Sequence, residues 1–202
     1  MKHAISTTLI AAMTLISTAA TAAESEKIVL AGGCFWGVEA VFESLKGVSS
    51  SVSGYAGGTA GSANYKKVSR GSTRHAEAVE VIYNPDIIST EDILKVYFTV
   101  AHDPTQLNKQ GPDRGPQYRS EIFYTTDTQK TAAKDMIDTL EKSQAYDDPI
   151  VTKISALDTF YPAEDYHQDY VQKHPMQPYV VMHDIPKLTK LRKTFPQLCV
   201  PK

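Results

Sequence analysis

Apolar positions along the chain follow two rhythms, one of period two and one near 3.6, interrupted by glycine and proline. Residues 27–31 (KIVLA) are a short apolar run that ends in Gly32-Gly33. Val38, Val41, Phe42 and Leu45 then recur at helical spacing, and Gly47 follows Lys46 as a stop. A strand, a tight turn and a helix are predicted there. Residues 48–54 begin an extended run that dissolves into Gly57, Gly58 and Gly61. Residues 76–83 (AEAVEVIY) set Val79, Val81 and Tyr83 in alternation and end at Asn84-Pro85, a strand followed by a turn. Ser89 with Asp92 three positions on resembles a capping box. Ile93, Leu94, Val96, Tyr97 and Val100 form one face of a second helix that ends near His102.

Periodicity vanishes from 102 to 116 (HDPTQLNKQGPDRGP), and a loop this irregular in a compact domain is usually functional or mobile. Beyond it the pattern predicts a strand at 118–124, an amphipathic helix at 127–142 and a strand at 150–155. After Tyr161-Pro162, residues 163–173 read as helical, and 185–195 as a basic helix leading to a tail. Strands and helices do not repeat with a uniform βαβ rhythm. The expected fold is therefore α+β, a two-layer α/β sandwich with a mixed central sheet flanked by helices and a long irregular C-terminal segment.

A length of 202 residues suits one ordinary domain with its own core. A formal net charge of -2 offers no polycation for nucleic acid or an acidic membrane, so neither partner is expected. Residues 1–23 carry Lys2 near the start, an uncharged apolar stretch, and Ala20-Thr21-Ala22 as an Ala-x-Ala site. That is a secretory signal peptide pattern, predicted to be cleaved near Ala22 or Ala23. The expected organisation is a leader at 1–23 and one domain at 24–202, exported to the periplasm and free of the membrane once cut.

Two cysteines in an exported chain invite a structural disulfide. Cys34 and Cys199 lie 165 positions apart with no CxxC between them, which excludes a thioredoxin motif and a zinc ribbon. Their neighbourhoods favour a nucleophile and a distant resolver. Cys34 sits at a predicted helix start, where unpaired amides and the macrodipole are expected to lower a thiol's pKa. Gly32 and Gly33 let the chain turn sharply and leave the sulfur open.

The segment GCFWGVEAVFESLKGV (33–48) resembles the A-type peptide methionine sulfoxide reductases. Further blocks extend the likeness in order: GYAGG at 54–58, HAEAVEV at 75–81, HDPTQLNKQG at 102–111, DRGPQYRS at 113–120 and AEDYHQDY at 163–170. The resemblance implies that Cys34 attacks the sulfoxide sulfur, releasing methionine and becoming a sulfenic acid. Glu77 in HAEA would be the acid that protonates the oxygen, a task helped by burial, which raises a carboxyl pKa. Among eleven tyrosines, only the flanks SANYKKV and GPQYRS select Tyr65 and Tyr118 as neutral donors to that oxygen. Asp113 would bind the substrate backbone. Phe35 and Trp36, the latter the single tryptophan, would hold the S-methyl group, and the S epimer would be the one reduced.

Cys199, in the tail PQLCVPK, matches the recycling cysteine of the family, although some members carry two near the C-terminus and this chain has one. The implied cycle forms a Cys34–Cys199 disulfide and regenerates it with a thioredoxin-type dithiol, or dithiothreitol in vitro. No metal or bound cofactor is implied. Free methionine sulfoxide and oxidised proteins are the expected substrates, and a monomer the expected state. Three rival readings remain on residues alone. Cys34 could serve a hydrolase with His75, His102 or His167 as base. Glu164 and His167 could ligate a metal but lack a second such pair, and read better as a polar helix face. An exposed Trp36 could make the chain a non-catalytic binding module.

Overall fold

The computed structural model describes residues 24–201, so the leader at 1–23 lies outside the described residues. In chain order the elements begin with β1 (Glu26–Ala31), α1 (Phe35–Glu43) and β2 (Val48–Ala56). They continue through α2 (Tyr65–Val68), β3 (Ala76–Tyr83) and α3 (Thr90–Val96), whose end widens into a π-helical turn at Tyr97–Ala101. A two-residue hairpin, β4 (Lys109–Gln110) and β5 (Asp113–Arg114), lies inside the irregular loop. Then come β6 (Glu121–Tyr124), α4 (Asp127–Lys142), β7 (Lys153–Ala156), β8 (Phe160–Pro162), α5 (Tyr170–Lys173) and α6 (Ile185–Thr194). No helix among the described residues is long and apolar enough to cross a membrane.

Six strands form one sheet in the order β7-β6-β1-β3-β2-β8. Only β6 and β7 run parallel; the other neighbours are antiparallel. The fold is thus α+β with a mixed sheet and helices, as the pattern predicts. Strand side chains alternate between faces, and this places Ile28, Leu30, Val79, Val81 and Tyr83 in the main core with Val38, Val41 and Phe42 of α1. Val29, Ala31, Ala76, Ala78 and Phe123 form a smaller cluster. The same parity puts Glu77 on the face of Val79 and Val81. An acid near the start of β3 is thereby carried beneath α1.

Three departures from the sequence pattern have local causes. The predicted strand at 118–124 begins only at Glu121, because Pro116 opens a 3-10 turn at Pro116–Tyr118. The edge strand β8 holds two bulky aromatics before a proline and pairs with β2 through Gly54–Ala56, with no run long enough to show a period. The helix expected over 163–173 is broken into a 3-10 turn, Asp165–His167, and the single turn α5, with Asp169 between them in the left-handed region at φ 54°.

Candidate active site

Cys34 is the N-cap of α1, and Gly33 before it adopts φ +95°, a conformation that favours glycine. A Cβ on Gly33 would also meet Gln110 Cγ at 2.5 Å, so the glycine lets the irregular loop close over the turn. The cysteine is 9% exposed and opens into a cavity of about 250 Å³. Phe35, Trp36, Tyr65, Glu77, Asp113 and Tyr118 line the same cavity, joined by Gln177 and Tyr179. Every site residue that the family resemblance implies is therefore gathered there, except Cys199. Two cavities of about 430 Å³ elsewhere contain no cysteine.

Glu77 is 2% exposed, and its Oε2 accepts a 3.3 Å hydrogen bond from the Phe35 amide, the first of α1. Burial pushes its carboxyl up to about 8, the Phe35 amide pulling down and Asp113 adding to the rise. At neutral pH Glu77 is consequently a neutral acid. Tyr65 and Tyr118 bring phenol hydroxyls that have no hydrogen-bond partner among the described residues. Burial and the nearby Glu77 raise both, Tyr65 to about 12, so both keep their protons and can donate.

The thiol does not behave as its helix position alone predicts. Burial, with the Glu77 and Asp184 carboxyls, pushes Cys34 well above the ordinary thiol range, and the opposing Trp36 amide and Lys187 are outweighed. Desolvation of a buried sulfur exceeds what one helix start returns. Cys34 therefore rests as a thiol, which corrects the expected depression.

Trp36 is held on three sides. Its ring stacks on Tyr170 at 3.7 Å and 7°, and Tyr179 meets it edge-on at 86°. Its Nε1 donates to His167 Nδ1 at 3.0 Å, which makes Nδ1 the acceptor and leaves the proton of the neutral ring on Nε2. Burial lowers the His167 pKa and keeps the ring neutral. Tyr179 in turn donates to Asp113 Oδ2, tying the C-terminal segment to the loop. Below, Tyr55 donates to Glu164 Oε2 at 2.8 Å, and the Tyr65 amide donates to Glu164 Oε1 at 3.0 Å.

These bonds decide among the rivals. Glu164 and His167 are not a polar helix face: Glu164 precedes and His167 ends a 3-10 turn, Glu164 accepts from Tyr55 and the Tyr65 amide, and His167 Nδ1 accepts from Trp36. His75 Nε2 is 3.0 Å from the Thr59 carbonyl oxygen, His102 is bonded to the Tyr97 carbonyl and Ser120 Oγ, and no histidine lines the cavity into which Cys34 opens. Trp36 is half-buried and packed, not a free docking ring. Sequence reading missed Gln177, Tyr179 and Asp184. Glu164 and His167 stood inside AEDYHQDY, a usable signal; the other three are isolated polar residues in a stretch without period.

Cys199 lies apart. It is 7% exposed and forms a bridge with Leu45 just beyond the far end of α1. Its Sγ donates to the Phe195 carbonyl at 3.3 Å, and the strand of tail is pinned by Lys46 N to Leu198 O at 2.8 Å and Val200 N to Ser44 O at 2.9 Å. At a helical rise of about 1.5 Å per residue, the two ends of α1 put the cysteines roughly 16 Å apart. A disulfide needs Cα atoms within about 7 Å.

Comparison with known proteins points one way. Residues 26–198 match the family model described as peptide methionine sulfoxide reductase. A peptide methionine sulfoxide reductase, MsrA 2, of Synechocystis is 55% identical over 175 residues, covering 87% of this chain and 82% of that one. Its namesake in Mesorhizobium japonicum is 53% identical, covering 86% and 89%. Among solved structures, methionine sulfoxide reductase A of Corynebacterium diphtheriae superposes with a TM-score of 0.67 at 32% identity, covering 76% of each chain. Reduced Mxr1 of Saccharomyces cerevisiae gives 0.67 at 36% identity, covering 76% of this chain and 87% of that one.

Proposed function

Because the chain belongs to the peptide methionine sulfoxide reductase family, as a peptide-methionine (S)-S-oxide reductase, we propose that Cys34 is its nucleophile and Glu77 its acid. The observation that carries this reading is Glu77, buried, protonated at neutral pH and bonded to the first amide of the helix that Cys34 caps. A sulfoxide oxygen leaves only when protonated. Glu77 supplies that proton, Tyr65 and Tyr118 donate hydrogen bonds to the same oxygen, and Cys34 Sγ attacks the sulfur. In sum, thiol and sulfoxide become sulfenic acid and thioether. Phe35 and Trp36 take the S-methyl group by burial and sulfur contact, and Asp113, steadied by Tyr179, receives the substrate backbone. Fixing the methyl fixes the epimer whose oxygen faces Glu77.

Cys199 then resolves the intermediate: its thiol condenses with the sulfenic acid, forming the disulfide and releasing water. A separation of roughly 16 Å along α1 means that the tail must first leave Leu45, which its few backbone bonds permit. An external dithiol of thioredoxin type reduces the disulfide. Oxidised proteins and free methionine sulfoxide are both substrates, the enzyme acts as a monomer, and the leader pattern at 1–23 supports export to the periplasm. The test supplies a diastereomerically defined methionine sulfoxide and dithiothreitol to the wild type, Cys34→Ser and Glu77→Gln. Methionine from the S epimer with the wild type alone supports the assignment; methionine from Cys34→Ser sinks it.

A further inference from the structure

Asp184 is completely buried, and neither carboxylate oxygen has a hydrogen-bond partner among the described residues. Such a group is costly unless something nearby offsets it. Its companion is Lys187, whose Nζ lies 3.7 Å from Oδ1, longer than a hydrogen bond. Both sit on the first turn of α1: a Cβ on Gly37, three residues after Cys34, would meet Asp184 Oδ1 at 2.1 Å and Lys187 Nζ at 2.9 Å. Gly37 thus opens a space in which one negative and one positive charge lie under the helix start, in a medium where charges act strongly.

The groups facing Cys34 can be separated by charge at neutral pH. Glu77 titrates at about 8 and is neutral, and the phenols of Tyr65, Tyr118 and Tyr179 are all raised and neutral. Asp184 is raised only to about 6, by burial, with Asp113 adding and Lys187 and His183 opposing; it is ionised above that. Lys187 also faces the neutral, buried His102. Asp113 faces the sulfur across the cavity and Glu77 adds its charge only above about 8, so Asp184 and Lys187 are the pair that acts from beneath the helix start at neutral pH.

We propose that the buried Asp184–Lys187 pair tunes the acidity of Cys34 beyond what burial and Glu77 do, the carboxylate favouring the thiol and the ammonium limiting that effect. This rests on Cys34 being the attacking thiol, as proposed above. The consequence is selectivity. A thiolate attacks one oxygen of hydrogen peroxide, the O–O bond breaks, and sulfenic acid and hydroxide form without any help from an acid. A resting thiol is spared that reaction, which would consume reductant through Cys199 without repairing a methionine, whereas a sulfoxide meets Glu77 and its proton. Asp184 is thus a positioning residue that favours sulfoxide over peroxide.

The experiment follows iodoacetamide alkylation of Cys34 against pH by intact mass, in a Cys199→Ser background so that one thiol reports. Asp184→Asn is expected to lower the alkylation midpoint by about one pH unit. That raises the thiolate fraction at pH 7, and with it the rate of peroxide inactivation, by about ten-fold. Lys187→Gln is expected to move both in the opposite direction. A merely structural role would loosen the site the same way in both variants. An unmoved midpoint in Asp184→Asn, or shifts of one sign in both, overturns the proposal. Should Asp184→Asn fail to fold, a raised midpoint in Lys187→Gln supports it and an unmoved or lowered one overturns it. Methionine sulfoxide turnover by the wild type, measured alongside, reports separately on the reductase mechanism.

Discussion

The two ends of α1 each hold a buried cysteine, and the two thiols have little else in common. Cys34, at the start, opens into a cavity with a protonated carboxyl and two unpartnered phenols. Cys199, bridged to Leu45 past the end, gives its thiol to a carbonyl and lies among apolar residues of the main core. Their exposures are nearly equal, at 9% and 7%. Burial therefore does not make a cysteine reactive; its neighbours do. The helix between them also acts as a spacer, so the chemistry at one end cannot reach the other without motion of the tail.

The largest expected effect separates the two ends outright. Cys34→Ser should abolish methionine formation, while Cys199→Ser should release about one methionine per enzyme without reductant, through the sulfenic acid step. A quench-flow measurement of methionine decides it, and a Cys199→Ser enzyme silent in the first turnover would place Cys199 within the chemistry. Next comes Glu77→Gln, which keeps the Phe35 bond but removes the acid. Its kcat should fall by about 10² to 10⁴. The pH profile gives the sign independently: the protonated form exists below the raised pKa of about 8, so wild-type kcat/KM should decline as pH rises through that value. A flat profile between pH 7 and 9 would remove Glu77 from the acid role.

The far end is probed through stability. Leu45 is fully buried in the main core and carries the bridge to Cys199. Leu45→Ala should cost about 2–5 kcal/mol in urea unfolding. It should also speed alkylation of Cys199 under native conditions while leaving that of Cys34 unchanged. Equal acceleration at both thiols would mean that the two ends do not respond separately.

Much of this contrast is legible in the sequence at one end and little of it at the other. The start of α1 announces itself because Gly32-Gly33, the apolar helix face and the alternation of β3 are all local periodic signals; parity along β3 even places Glu77 with Val79 and Val81. The helix Asp127–Lys142 is read to the residue for the same reason, a long amphipathic run with Thr126 as its cap. The raised pKa of Cys34 is not legible, since it depends first on burial, then on Glu77 and on Asp184, 150 positions away and meeting α1 at the gap left by Gly37. Nor is the pinned tail, because Cys199 is held by backbone bonds that carry no residue-type signature. The stretch from Phe160 to Asp184 misleads most: the 3-10 turn Asp165–His167 and left-handed Asp169 break the helix read over 163–173, and the π-helical turn Val180–Asp184 falls where no element is read. That stretch supplies the walls for Trp36.

Those walls permit the mildest test, a change at the Cys34 end that never touches the sulfur. Tyr170 lies flat under Trp36 at 3.7 Å, and Trp36 is the ring assigned to the substrate methyl. Tyr170→Leu keeps an apolar body but removes the stacking, worth about 1 kcal/mol beyond buried area. The indole would still be bonded to His167 and edged by Tyr179, so it should loosen without leaving. KM should then rise about five-fold, the factor that about 1 kcal/mol corresponds to, with kcat and the alkylation of Cys34 nearly unchanged. A fall in kcat at constant KM would give the opposite lesson, that the indole orders the attacking sulfur and not the methyl. Cys34 would then owe its reactivity to the aromatic wall as well as to Glu77, and the difference between the two ends of α1 would lie in rings as much as in acids.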